Sequence, residues 1–326
     1  MTDPMFTLPE LEAAARLVHA QVPPTPLHHW PLLSARAGAE VWVKHENHAP
    51  TGAFKVRGGV TLIDWLRRTQ PDCPGIITAT RGNHGQSQAR AAMAAGLRAV
   101  VYVPRGNSGE KNAAMRAYGA ELREVGDDFD TARLAAMAAA EAEGLFPVPP
   151  FHRELVRGVA SYGLEMFSAR PDLDTVYVPI GCGSGICGVI AARDALGLQT
   201  QVVGVVSAQA AGAKLSFEAG HLVETDSART FADGLAVRVP VQAALDIYGT
   251  GAARIVAVDE AQIAAAARAF HTDTHNLAEG AGAAALAGLL AEQDRVAGRR
   301  VGVVLSGGNI DAQVFGHILA GQVPPA

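Results

Sequence analysis

Four turns in this sequence combine glycines with side chains that could do chemistry, and each follows a short apolar run. They are Thr51–Gly59 (TGAFKVRGG), Thr80–Ser87 (TRGNHGQS), Gly181–Gly188 (GCGSGICG) and Ser306–Asp311 (SGGNID). Lys55, in the first turn, is either a solvated surface charge or a nucleophilic amine. An amine attacks a carbonyl group only when it is uncharged, and burial or neighbouring cations favour that form. The other three turns therefore decide what Lys55 can do.

The third turn has the composition of an anion-binding loop. Gly181, Gly183 and Gly185 alternate before an apolar helical segment, so backbone N–H groups could converge on a phosphate at the helix N-terminus. A P-loop would continue with Gly-Lys-Ser/Thr, and a dinucleotide fingerprint would have the spacing G-x-G-x-x-G; neither is present. A tight turn between a strand and a helix is the alternative.

The second and fourth turns offer polar side chains with two interpretations each. Asn83 and His84 could donate hydrogen bonds to a carboxylate or a phenolic oxygen, but Asn83 could equally cap a helix. Ser306 could hydrogen-bond a ligand heteroatom, or it could satisfy neighbouring backbone groups.

The elements that must position these turns are short apolar runs without polar alternation, which are typical of parallel strands covered on both faces. The predicted strands are Glu40–Lys44, Gly75–Ala79, Ala99–Val103, Thr175–Ile180, Gln201–Val206, Arg254–Val258 and Arg300–Ser306. The predicted helices between them are Gln86–Ala95, Asp130–Glu143, Leu155–Arg170, Gly188–Leu196, Glu260–Phe270 and Gly282–Glu292. This alternation predicts an α/β protein with open, twisted parallel sheets, whose ligands bind beyond the carboxyl ends of the strands.

Two domains are expected from a chain of 326 residues. Clustered prolines in Phe146–His152 mark the clearest break, because proline interrupts both helices and strands. The predicted division is a large cofactor-binding domain of residues 1–74 plus 150–326, and a small substrate-binding domain of residues 75–149.

Composition and charge exclude several classes of protein. A hydrophobic content of 49% predicts a buried core, and a net charge of -5 gives no basic surface for nucleic acid or an anionic membrane. No apolar run reaches the roughly 20 residues that span a bilayer, and no secretory signal is evident, so we expect a cytoplasmic protein. The three cysteines contain no C-x-x-C pair, and His271 and His275 lack a third ligand, so we expect no metal site.

Taken together, these motifs resemble the fold type II pyridoxal 5′-phosphate (PLP) enzymes, specifically the serine/threonine dehydratase family. The first turn resembles that family's Ser-Phe-Lys-x-Arg-Gly motif, the second its Ser-Gly-Asn-His-Gly/Ala-Gln loop, and the third takes the place of its tetraglycine phosphate loop. Three further stretches match in the same order: FADGLAVR (Phe231–Arg238), EGAGAAALAG (Glu279–Gly288) and LSGGN (Leu305–Asn309).

The resemblance implies a role for each motif. PLP would lie in the cleft between the two domains, and Lys55 would carry it as a Schiff base and remove the substrate's α-proton. Phe54 would pack beside the cofactor ring, Asn83 would hydrogen-bond its O3′, and Ser306 would face the pyridine nitrogen. A hydroxyl at that nitrogen suits elimination better than transamination. The phosphate would be held by Gly181, Cys182, Gly183, Ser184 and Gly185.

Substrate would bind at the second turn. Thr80 and His84 are expected to bind its carboxylate. Arg81 stands where relatives carry a small residue, and we expect it to lie in the cleft and to tune PLP or select the substrate. Arginine is a poor proton donor, so racemase activity is not expected.

The implied activity is that of a PLP-dependent dehydratase, which converts a β-hydroxy-L-amino acid of the threonine/serine class into a 2-oxo acid and ammonia. A bulkier or charged substrate, such as L-threo-phenylserine or 3-hydroxyaspartate, is one alternative. A β-replacement enzyme and a non-catalytic PLP-binding protein are two others. The resemblance also implies a homodimer without a C-terminal regulatory domain. The cation-binding Glu of some relatives corresponds to Ser207, so we expect no divalent-ion site of that form; a monovalent ion on backbone carbonyls stays an alternative.

Overall fold

The computed structural model describes residues 5–325, and this range contains ten strands and fourteen α-helices. The strands are β1 (Leu27–His29), β2 (Glu40–His45), β3 (Gly75–Ala79), β4 (Arg98–Val103), β5 (Glu121–Glu124), β6 (Phe146–Pro147), β7 (Thr175–Pro179), β8 (Gln201–Ser207), β9 (Arg254–Val258) and β10 (Arg300–Leu305). The helices are α1 (Leu8–His19), α2 (Pro31–Ala37), α3 (Lys55–Thr69), α4 (Asn83–Ala94), α5 (Gly109–Ala117), α6 (Phe129–Glu143), α7 (Arg153–Ala169), α8 (Ser184–Ala195), α9 (Gly212–Ala219), α10 (Gln242–Gly251), α11 (Glu260–Thr274), α12 (Gly280–Ala291), α13 (Gln293–Val296) and α14 (Ala312–Leu319).

The larger sheet has six strands in the order β1-β2-β10-β7-β8-β9. Strand β1 runs antiparallel to β2, and all other neighbours are parallel. The chain proceeds from β7 to β8 and β9 on one side and then returns to β10 on the other side of β7. The carboxyl ends of β7 and β10 therefore flank a topological switch point, where open α/β sheets bind their ligands.

The smaller sheet has four parallel strands in the order β5-β4-β3-β6. Helix α3 connects the two sheets, because its later residues Leu62, Ile63 and Leu66 pack with Ile76 and Ala89 of the smaller lobe. The small sheet begins at residue 75 and its last strand ends at residue 147. The proposed division at residues 75 and 149 stays a prediction, since α3 contributes to the core of both lobes.

The α/β class and the two parallel sheets predicted from the sequence are confirmed, and two strands, β3 and β9, have the predicted bounds. Helices α4 and α8 begin three and four residues earlier than predicted, since part of each glycine-rich turn forms the first helical turn. The short strands β1, β5 and β6 were not predicted. Within residues 5–325, no helix combines the length and apolar character needed to cross a bilayer.

Candidate active site

The first and fourth turns lie directly against each other at the carboxyl end of β10. The backbone N–H of Phe54 donates to the Ser306 carbonyl at 3.1 Å, and that of Gly308 donates to the Gly52 carbonyl at 2.9 Å. The backbone N–H of Glu279 donates to the carbonyl of Gly307 at 3.1 Å, so the start of α12 joins the same arrangement. Ser306 is buried here, at the switch point of the larger sheet.

Lys55 is the first residue of α3 and is partly buried. Loss of solvation lowers the pKa of its amine, although Cys182 and Glu279 act in the opposite direction. Its Nζ lies 4.9 Å from the ring centroid of Phe54. A lysine with a lowered pKa has a larger uncharged fraction at neutral pH, which is the form that attacks a carbonyl carbon.

The glycine turn of Gly181–Gly185 opens directly into α8, which begins at Ser184. Gly183 has a φ of 98°, a left-handed conformation that favours glycine. A Cβ at Gly181 would collide with the carbonyl oxygen of Gly234, so the turn fits against the FADG segment only without a side chain. The first N–H groups of α8 have no partners within the helix, and they form a cradle suited to an anion.

Two further predicted residues approach Lys55 from other directions. Burial raises the pKa of the Cys182 thiol, which is therefore uncharged beside Lys55 at neutral pH. Burial, followed by the charge of Lys55, lowers the pKa of His84 to about 3. The Nε2 atom of His84 is buried without a hydrogen-bond partner in the described part of the chain. A neutral imidazole with an unpaired nitrogen suits the binding of a small polar ligand.

Asn83 links the small lobe to the large lobe. Its Nδ2 donates to Glu279 Oε1 at 2.6 Å, and its Oδ1 accepts from Asn309 Nδ2 at 2.7 Å. Asn309 also donates to the carbonyl oxygen of Thr51 at 2.8 Å. The side chains of Asn83 and Asn309 and the backbone carbonyl of Thr51 therefore join three of the four turns in one hydrogen-bonded chain, together with Glu279.

The second turn contains two further predicted residues, Thr80 and Arg81. Thr80 is buried, and its hydroxyl accepts from the backbone N–H of Gly82 at 3.1 Å, which fixes the shape of the turn. Arg81 has an exposed side chain. The pKa of Asp128 is lowered chiefly by the hydrogen bond from the Thr131 backbone, and the charge of Arg81 contributes as well. The predicted role of Arg81 in the cleft stays a prediction.

A second contact between the two lobes is formed by residues to which the sequence analysis assigned no role. Lys111 on α5 contacts Asp233 of the FADG segment, with Nζ and Oδ2 2.6 Å apart, and the Ser108 hydroxyl donates to Asp311. Lys111 has the sequence context of an ordinary helix-surface charge, so only the fold reveals this contact.

Ser207, at the position of the relatives' cation-binding Glu, donates to Glu260 Oε1 at 2.7 Å.

Glu279 combines burial with several charged neighbours. Burial raises the pKa of its carboxyl to about 7, and nearby Asp233 adds to this effect. The charge of Lys111, the hydrogen bond from Asn83 and the charge of Lys55 act in the opposite direction. The carboxyl therefore changes charge near neutral pH, within the same group of residues as Lys55.

We predict that Glu279→Gln changes the pH dependence of apoprotein stability. A carboxyl whose pKa is raised on folding favours the folded state fully below its ordinary pKa of 4.5, and this contribution is lost as pH rises through about 7. Glutamine keeps an acceptor for Asn83 but cannot ionise. The free energy of unfolding of the variant, relative to the parent, should rise by about 2–3 kcal/mol between pH 5 and pH 8.

Urea unfolding at both pH values measures this difference. Glu224→Gln, at an exposed glutamate, is the matched control and should show no such rise. If the free energies of unfolding of Glu279→Gln and of the parent changed with pH in the same way, the raised pKa of Glu279 would be contradicted.

Comparison with known proteins identifies the family. The family model described as pyridoxal-phosphate dependent enzyme matches residues 18–307. This chain belongs to that family of PLP-dependent enzymes. Its two-lobed fold is fold type II, as the sequence motifs had predicted, and its cofactor is PLP.

Similar proteins share most of the chain. An L-threonine ammonia-lyase of Geobacter sulfurreducens is 36% identical over 293 residues, which are 90% of this chain and 72% of that protein. An L-threonine ammonia-lyase of Thermotoga maritima is 33% identical over 316 residues, 97% of this chain and 78% of that protein. The structure of the processed form of threonine deaminase isoform 2 from Solanum lycopersicum has a TM-score of 0.89 at 28% identity, covering 98% of this chain and 95% of that one.

The residues at the switch point fit PLP. Lys55 supplies an amine that burial makes less basic, the glycine turn supplies a cradle at a helix N-terminus, and His84 supplies a buried unpaired nitrogen. Ser306 supplies a hydroxyl rather than a carboxylate at the end of β10. The amine, the cradle and the hydroxyl match three chemical parts of the cofactor, namely an aldehyde, a phosphate and a ring nitrogen, and the unpaired nitrogen of His84 stays available to a substrate.

Proposed function

We propose that this protein is a PLP-dependent dehydratase, an ammonia-lyase that removes water from a β-hydroxy-L-amino acid of the threonine/serine class. The products are a 2-oxo acid and ammonia. The observation that carries the proposal is the desolvated Lys55 amine at the switch point, placed with the glycine turn and Ser306. The ammonia-lyase names of two relatives that share most of this chain support the same reaction class.

When bound, PLP supplies an electron sink for the α-carbon. In the proposed site, Lys55 would hold the cofactor through Nζ. Once the substrate's amino group had displaced that nitrogen, the freed Lys55 amine would accept the α-proton at the same atom. The N–H groups at the start of α8 would hold the phosphate. Ser306 would offer the ring nitrogen a hydroxyl, which does not force that nitrogen to be protonated. The β-hydroxyl group would leave with one proton as water, so the α-hydrogen and the β-hydroxyl together account for the water lost. The unsaturated amine that remains would tautomerise to an imine, and a water molecule would hydrolyse it to the 2-oxo acid and ammonia.

Substrate orientation is assigned to the second turn. Neutral His84 can donate to the substrate carboxylate, and Thr80 is proposed to bind the same group. Asn83 would hydrogen-bond the cofactor's phenolic oxygen, and Phe54 would pack beside the ring. Arg81 is proposed to select among substrates from the exposed rim of the turn, where a charged or bulky β-substituent could reach it. A homodimer and a cytoplasmic location, both implied by the family resemblance, stay predictions.

A substrate panel tests the reaction. L-Threonine, L-serine, L-threo-phenylserine and 3-hydroxy-L-aspartate are each incubated with the PLP-loaded protein, and 2-oxo acid and ammonia are measured together. We expect equal amounts of both products from L-threonine. A loaded protein that releases neither product from any of the four would contradict the proposal and favour a binding function.

The same panel tests Arg81. Arg81→Ala should change the ratio of kcat/KM values between the charged or aromatic substrates and threonine. Arg105→Ala, at another exposed arginine of the small lobe, is the control and should leave that ratio unchanged. Unchanged ratios in Arg81→Ala would remove Arg81 from the specificity site.

A further inference from the structure

Helix α7 lies between the helix that begins with Lys55 and the helix that begins with the glycine turn. On the α3 side the two backbones touch at glycines. A Cβ at Gly58 would lie 2.8 Å from the carbonyl oxygen of Leu155, and a Cβ at Gly158 would collide with the carbonyl oxygen of Arg57. Real Cβ atoms do not approach backbone atoms so closely, so α3 and α7 pack in direct backbone contact with no space for a side chain between them.

The α8 side of α7 is equally close. A Cβ at Gly163 would lie 2.8 Å from Ala192 Cβ, and a Cβ at Gly188 would lie 3.0 Å from the backbone nitrogen of Ala160. Helix α7 therefore fixes the positions of α3 and α8 relative to one another. Lys55 and Ser184 are the first residues of those two helices, so α7 also fixes the distance between the amine and the phosphate cradle.

Arg57 ties the first turn of α3 to α7. Its guanidinium donates to Glu165 from Nη1 at 2.6 Å and from Nη2 at 3.0 Å, and to the Ser161 hydroxyl at 3.0 Å. Both partners lie on α7, and Arg57 is completely buried. The residue two positions after Lys55 is therefore held by directional bonds, since a guanidinium fork accepts little change in geometry.

Tyr162, between Ser161 and Glu165 on the same helix, contacts both halves of the site. Its hydroxyl donates to the carbonyl of Gly185 at 3.1 Å. Its ring meets the ring of Phe54 edge to face, with centroids 6.0 Å apart. Burial raises the pKa of this hydroxyl well above its ordinary value, so it stays a neutral donor at all relevant pH values. One side chain thus joins the lysine turn to the glycine turn.

We propose that Tyr162 is a positioning residue that sets the alignment between Lys55 and the phosphate cradle, acting through Phe54 on one side and Gly185 on the other. The proposal rests on the cofactor site assigned under the proposed function. PLP is attached at two points, its aldehyde carbon and its phosphate. Two linked attachments strengthen binding only when both can form without strain. The affinity for PLP, compared with the affinities for pyridoxal and for phosphate alone, therefore measures how well the two attachment points are aligned.

The experiment compares three ligands of the apoprotein: PLP, pyridoxal, which lacks the phosphate, and inorganic phosphate. Tyr162→Phe keeps the ring against Phe54 and removes only the bond to Gly185. We expect the Kd of PLP to rise about fivefold, the effect of one ordinary hydrogen bond. The Kd values of pyridoxal and of phosphate should stay unchanged, because each uses one half of the site alone.

Tyr177→Phe is the matched control. Tyr177 is a buried tyrosine of the same lobe whose hydroxyl donates to Glu292 at 2.8 Å. Its loss should leave all three Kd values unchanged. The proposal is overturned if Tyr162→Phe leaves PLP binding unchanged, or if it weakens pyridoxal or phosphate as much as it weakens PLP.

The outcome does not depend on turnover, so a failed substrate panel and a failed alignment test are distinguishable. Lys55→Ala tests the site itself, because it should abolish pyridoxal binding and leave phosphate binding intact. If Lys55→Ala leaves pyridoxal binding intact, the assigned site is wrong, and the alignment proposal falls with it.

Discussion

Replacing Lys55 with alanine should abolish the visible absorbance of the lysine-linked cofactor and lower turnover by at least about a thousandfold. The lysine would serve both as the covalent attachment and as the base for the α-proton, and a positioned general base alone contributes about 10²–10⁴-fold. Alanine can do neither. Absorbance spectra after addition of PLP, with product release from L-threonine, measure both effects.

The apoprotein of this variant should remain folded. Burial lowers the pKa of Lys55, so the folded protein carries an energetic cost for the charged amine at neutral pH, and alanine removes that cost. The midpoint of thermal unfolding is therefore expected to be equal to or above that of the parent. Lys214→Ala is the control, since Lys214 pairs with Glu218 on α9. It should retain the absorbance and the activity.

A chemical mapping experiment checks the attachment independently. Reduction of the loaded protein with borohydride should add the mass of the reduced cofactor to the peptide that contains Lys55, and to no other peptide. A modified peptide elsewhere, or turnover that survives in Lys55→Ala, would contradict the assignment.

The position of Lys55 could be predicted from sequence because parallel strands bring their carboxyl ends to one edge of a sheet. Turns far apart in the chain, such as those at Lys55, Gly181 and Ser306, are each marked by a local pattern of glycines after an apolar run. The general rule that these turns meet at one edge of the sheet is therefore enough to predict that they are neighbours in the fold. The family motifs then identify the cofactor that they bind.

Other features of the site have no local pattern. Asn83 and Glu279 are 196 residues apart and join through side chains that the motifs treat separately. Lys111 reaches Asp233 only because α5 of the small lobe faces the FADG segment. Arg81 has an exposed side chain, and its predicted role in the cleft stays a prediction. Side-chain direction at a turn depends on backbone geometry that spacing alone does not determine.

Arg57 shows the same limit in a motif that was recognised. In the sequence, Arg57 is recognised only as the arginine of the lysine motif, and no role is assigned to it. In the fold it is fully buried and binds two carboxylates, Glu46 and Glu165. Glu46 accepts from Nε at 2.7 Å and from Nη2 at 3.0 Å. Lys44 also contacts Glu165, so two cations and two anions share one buried group.

Arg57→Ala should therefore have the largest effect on stability, a loss of about 3–5 kcal/mol in the free energy of unfolding of the apoprotein. Burial alone would lower the pKa of Arg57, but Glu46 and Glu165 raise it, and each depends on the guanidinium in return. Alanine leaves Lys44 and His19 in contact with Glu165, while Glu46 loses the guanidinium that it contacts. Uncompensated buried charges of this kind carry that penalty.

Urea unfolding of the apoprotein at pH 7 measures the loss. Arg98→Ala is the matched control, because Arg98 also binds two glutamates, Glu121 and Glu143, but at the surface. Exposed ion pairs contribute about 1 kcal/mol or less, so this variant should stay close to the parent. Arg57→Lys should lie between the two, since lysine keeps the charge but cannot form the fork. Equal losses for Arg57→Ala and Arg98→Ala would show that the buried cluster does not hold α3 in place. The cluster could then no longer explain how the first turn of α3, and with it Lys55, is held against α7.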